Sequence, residues 1–361
     1  MKKNLKIFGI YLPIYLLVTI AAVSLRSVAC FVNLDDNGIY FGSDTLISIA
    51  NYTVIALSLF SLSYAYSPSP KLSLIPSFTS PETYVPTGAV GVALLFTAYS
   101  AFVRARDSKS YVDLLNAYPS PDSAALASTY TVLAIISLAV AILALLSIAH
   151  FVLTATVEEH SSTRRANLGL FTVILLALYA IYLYFSPALP INAPNKIVDQ
   201  MAYIFASIFF LYEVRISLGR AKWRAYIAFG FIASSLTAYS SIPTLIYYAV
   251  SGKLISNNIY ETALTLSLFI FITARVLLTA SLLVDIPSKT ADALIQFSQH
   301  REEILNPAPV IEAEEEVTEE IQTDENQINI FDTVTVTENE IPEDKVEGAP
   351  LEQEDKAHMP E

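Results

Sequence analysis

The sequence predicts an all-α polytopic membrane protein, a bundle of about eight transmembrane helices followed by a disordered acidic C-terminal tail. Three observations lead there. Mean hydropathy is +0.50 over 361 residues, with 54 % hydrophobic and only 15 % charged residues, outside the usual mixture of a soluble globular domain. Apolar runs recur at the length of about 17–25 residues needed to cross about 30 Å of hydrocarbon. Acid is also concentrated at one end: residues 1–286 hold 17 Lys+Arg against 13 Asp+Glu, or +4, whereas residues 287–361 hold 4 against 21, or −17.

The spans fall near 5–25, 45–65, 85–103, 124–157, 168–185, 201–218, 225–250 and 260–284, all within a bundle over 1–286. In the first, Arg26 follows a long apolar run and precedes Ser27-Val28-Ala29-Cys30, so the segment reads as an uncleaved helix rather than a lipoprotein signal. Cys30 is the single cysteine, which excludes an internal disulfide framework. The fourth span is too long for one perpendicular crossing but has no Gly or Pro at which to fold back, so it reads as one projecting helix. Seven or nine spans remain open alternatives.

Lys and Arg near the span ends set the orientation, and with the N-terminus inside they number ten on the cytoplasmic side against six outside. Both termini are therefore expected in the cytoplasm and the chain in the plasma (cytoplasmic) membrane. The basic stretch 104–123 violates the rule. Tyr182, Tyr184, Tyr203, Tyr247 and Tyr248 near outer ends, with Tyr64, Tyr66, Tyr212 and Tyr226 near inner ones, read as interfacial belts.

Five prolines between Ser67 and Pro86 predict an extended, polyproline-like connection. Residues 107–118 alternate charged with apolar side chains before Pro119, which predicts a short helix lying in the headgroup region. Beyond the bundle, Ala293, Phe297, His300 and Ile304 place an amphipathic juxtamembrane helix over 287–306, and Pro307 ends it. Residues 307–361 are rich in acid and poor in aromatics, a composition that does not bury enough apolar area to fold. Within them Ile328, Ile330, Phe331, Thr333, Thr335 and Thr337 form a β-prone run able to pair with a partner's sheet edge, or to be phosphorylated.

No catalytic residue, cofactor or metal site emerges: HExxH, G-x-S-x-G and P-loop patterns are absent, and four histidines are widely scattered. Nothing points to nucleic acid. Charge at membrane depth is rare and costly unless paired, which singles out Glu213 and Arg275. Measured from the midpoints of the sixth and eighth spans, both lie about 5 Å toward the cytoplasm at about 1.5 Å per residue, so they are expected to form an intramembrane ion pair. Arg215 and His150, near inner ends, are expected to reach toward the headgroups.

On the seventh span, Ser234, Thr237, Ser241, Thr244 and Tyr248 recur at helical spacing and form a stripe for helix packing or for a pocket. Pro243 is expected to kink that helix. Two functional readings follow. One is a non-enzymatic membrane regulator or scaffold that recruits a cytoplasmic protein through its acidic tail. The other is a transporter for a neutral or weakly polar small solute.

Overall fold

The computed structural model describes residues 2–35, 42, 45–66, 81–156, 163–187, 190, 193–218, 222–255 and 258–284. They form eight helices: α1 (Lys2–Val32), α2 (Thr45–Tyr66), α3 (Pro81–Ala117), α4 (Ser123–Thr156), α5 (Thr163–Phe185), α6 (Pro194–Ser217), α7 (Trp223–Ser251) and α8 (Ile259–Val284). No β-strand occurs among the described residues. All eight helices are long and apolar enough to cross a bilayer, and the chain is a multi-pass integral membrane protein.

Helices α3 to α8 close into a ring. Each packs against the next in sequence, and α8 returns to α3, while the α1–α2 hairpin lies outside, against α7. Consecutive helices alternate in direction. The near end of the bundle is the one at which α1 starts, and the far end is the one at which it stops. Inside the ring, Phe151 of α4, Phe210 of α6 and Phe271 of α8 meet with centroids 5.2–5.7 Å apart and fill it at that level.

Helix α7 touches α1, α2, α6 and α8, and 83 % of its spanning window is buried. Its spanning window is also the least apolar of the eight, so the fold removes from lipid the span with most to lose there. Close approach is bought by a missing side chain at Gly230, where a Cβ would lie 2.3 Å from Val276 Cγ2 and 3.2 Å from Phe209 Cε2.

Three expectations change. Helix α3 does not stop at residue 103, because no Gly or Pro interrupts residues 92–118; it continues to Ala117, so residues 107–117 extend the span instead of lying as a separate surface helix. With α4 it forms a hairpin that passes the α8 terminus by about 20 Å, at about 1.5 Å per residue beyond Arg104. Residues 81–86 are helical rather than extended: Pro81 opens the helix, and Pro86 is close enough to the start to remove only an early-turn bond. The tyrosine belts also lose members, since Tyr203, Tyr226 and Tyr182 are buried inside the bundle whereas Tyr66 and Tyr184 stay exposed. The juxtamembrane segment 287–306 and the tail 307–361 lie outside the described residues.

Candidate functional site

Charged and hydroxyl side chains gather in two layers separated by the phenylalanine cluster. In the near layer, Arg275 of α8 grips Glu213 of α6 with both edges of its fork: Nε to Oε1 at 3.0 Å and Nη2 to Oε2 at 3.0 Å. Tyr226 of α7 donates a third bond to Oε1 at 2.7 Å. The residues are 4 % and 1 % exposed, so the pair is a fully enclosed clamp between α6 and α8. Arg165 of α5 is buried at the same end.

His150 lies at this level too, and it is buried rather than extended toward headgroups. Its Nδ1 is 3.2 Å from Thr172 Oγ1, and a Cβ at Gly169 would come within 3.3 Å of its Nε2, so α5 packs directly over the imidazole. Arg215 is half-buried, with its guanidinium carbon 5.9 Å from the Tyr212 centroid.

The far layer was not legible in the sequence, and it holds more chemistry. Arg104 of α3 forms an ion pair and hydrogen bond with Glu261 of α8, and its Nη2 donates to Tyr179 Oη at 2.9 Å. The same guanidinium sits 4.7 Å from the Tyr182 centroid, so two α5 tyrosines hold it from another side. Deeper, Tyr203 donates to the Glu261 carbonyl at 3.3 Å and Thr265 donates to Tyr203 Oη at 3.0 Å. Ser240 of α7 donates to Asp199 of α6.

Two spaces flank the Arg104–Glu261 pair. On the outer side a cavity of about 300 Å³ opens beneath the α3–α4 overhang, lined by Arg104, Asp107, Ser108, Tyr111, Tyr130 and Tyr182 among others. Tyr111 and Tyr130 brace the overhang with centroids 4.4 Å apart. On the inner side is a void of about 10 Å³ lined by Asp199, Tyr203, Ser240, Thr244, Glu261, Thr262 and Thr265. A single water needs about 10–15 Å³, so the void has room for one water or small ion and none for an organic molecule. Arg104 belongs to the first space and Glu261 to the second.

Of the α7 stripe, only Thr244 reaches this void. Ser234, Thr237 and Ser241 donate to carbonyls three or four residues back, at 2.7–3.2 Å, which consumes their protons within the helix. Ser234 also meets Tyr15 Oη at 2.5 Å, and Tyr248 is 40 % exposed. Pro243 is buried within a continuous α7.

Among the described residues, no group of three or more His, Cys, Asp or Glu is placed to hold a metal ion. No family model matches the chain, and neither a curated protein nor a solved structure matches it.

Proposed function

We propose that this chain is a permease for a small neutral or weakly polar solute, non-enzymatic, with the far layer as its gate. The carrying observation is the division of one ion pair between two spaces: Arg104 lines the open cavity and Glu261 lines the enclosed void. Opening that pair would join the spaces and free Glu261 to meet an entering solute, while the phenylalanine cluster blocks the path to the near end. The preponderance of Lys and Arg at the near end supports an orientation with the large cavity outside the cell and both termini in the cytoplasm.

Thiol labelling tests gate and orientation together, in a Cys30→Ala background. A membrane-impermeant maleimide added to intact cells is expected to label Ser108→Cys. Thr262→Cys, behind the pair, is expected to stay protected and to become reactive when Arg104→Gln is added. Equal labelling of Thr262→Cys with and without Arg104 removes the gate, and a silent Ser108→Cys removes the outward cavity.

The acidic tail favours a second role alongside the first, recruitment of a cytoplasmic protein, because residues 287–361 concentrate a net −17 beside a body of +4. Deleting residues 310–361 is expected to leave the bundle inserted and to abolish capture of that partner. An unchanged set of captured proteins would end this reading.

A further inference from the structure

The inner void is walled by three helices, and each contributes a pair of polar side chains four residues apart, one turn apart on the same face: Asp199 and Tyr203 on α6, Ser240 and Thr244 on α7, Glu261 and Thr265 on α8. Every polar side chain that lines it ends in oxygen, and none is basic. The hydroxyl protons are already engaged. Ser240 donates to Asp199, Thr244 to the Ser240 carbonyl at 2.8 Å, and Tyr203 to the Glu261 carbonyl at 3.3 Å. Thr265 divides its proton between that same carbonyl at 2.9 Å and Tyr203 Oη at 3.0 Å. A hydroxyl has one proton to give, so these oxygens have only lone pairs left to offer, as the two carboxylates do.

The charges point the same way. Asp199 and Glu261 are near enough for their charges to act on one another. Two arginines stand behind them, outside the lining. Arg104 pairs with Glu261 from the outer cavity, and Arg26, buried near the end of α1, acts on Asp199 without an ion-pair contact. Neither guanidinium enters the space between the carboxylates and the hydroxyls.

A water molecule could satisfy only part of such a wall with its pair of protons, whereas a bare cation is attracted to every oxygen at once. The void, at about 10 Å³, is at the lower limit for a water. Dehydrated Na⁺ is smaller than water and fits; K⁺ is larger than Na⁺ and fits less well. Two carboxylates, one of them already held by Arg104, are too few for a divalent ion. We propose that this void binds a single Na⁺, and that the ion competes with Arg104 for Glu261. The competition rests on the gate reading, because the site and the gate share Glu261, whereas binding itself is measurable whether or not a solute is carried.

The test uses the full chain in alkyl maltoside micelles at fixed ionic strength, with sodium chloride exchanged for potassium or choline chloride, and follows the apparent Tm. Na⁺ is expected to raise Tm by several degrees along a saturating curve, K⁺ to do less and choline nothing. Asp199→Asn should abolish the response. Thr244→Val removes one oxygen with little change of shape and should raise the half-saturating Na⁺ concentration several-fold, while Thr244→Ser, which keeps the hydroxyl, should leave it unchanged. Arg104→Gln takes away the competitor and should lower it several-fold. A wild type that melts alike in all three salts, as with a void that holds only water, would overturn the site. So would an Asp199→Asn variant with the full response or, where that variant does not fold, a Thr244→Val variant with the wild-type midpoint. An unchanged midpoint in Arg104→Gln would overturn the competition. Should Thr262→Cys labelling show no gate while Na⁺ still stabilises the protein, the permease reading falls and the ion site stands.

Discussion

Glu213→Gln is expected to destabilise the solubilised protein by about 3–5 kcal/mol, the range for breaking a buried pair from one side. The loss is large because Arg275, 1 % exposed, keeps its charge and its fork while the acceptor becomes a neutral amide with one oxygen. Arg165 adds to the imbalance, since its charge also acts on Glu213. Tyr226 keeps an acceptor and limits the damage. Adding Arg275→Gln removes the stranded cation and should return part of the stability, which a denaturant titration of the four variants in micelles measures. Strictly additive single losses would show that the two side chains touch without being coupled.

Gly230→Ala is expected to cost about 1–3 kcal/mol, even though alanine is the better helix former by about 1 kcal/mol. The new Cβ would sit 2.3 Å from a methyl of Val276, whose β-branched side chain has few alternative rotamers, and 3.2 Å from the Phe209 ring. Overlap therefore outweighs propensity. Gly91→Ala serves as the contrast, because nothing lies within 4 Å of its added Cβ, so it should melt slightly above the wild type. Combining Gly230→Ala with Val276→Ala removes the nearer clash. If that double variant were no more stable than the sum of its parts, the contact between α7 and α8 would not be the cause.

The eight helices and the meeting of Glu213 with Arg275 could be reasoned from hydropathy, rise per residue and the cost of charge in hydrocarbon. The far layer could not, for a reason common to all its members. Arg26, Arg104, Asp199 and Glu261 all lie at or beyond the edges of the apolar runs, where a charge ordinarily faces water or headgroups. Here the helices extend past those edges: α1 runs on to Val32, α3 to Ala117, and α6 begins at Pro194. Side chains at the margins of the apolar runs thereby become interior ones. The α7 stripe shows the converse. Its spacing was readable, but spacing does not reveal whether a hydroxyl donates outward or to its own backbone, and four of the five donate to their own backbone.

The closure of α8 on α3 bears on how the protein is made. Helix α3 leaves the ribosome well over a hundred residues before the partner that seals it, so during synthesis the unfinished circle presents Arg104 without Glu261. Helix α7 must likewise wait for α8 before its fourth side is covered. A chain released after Ser251 would leave the serine-rich helix facing acyl chains.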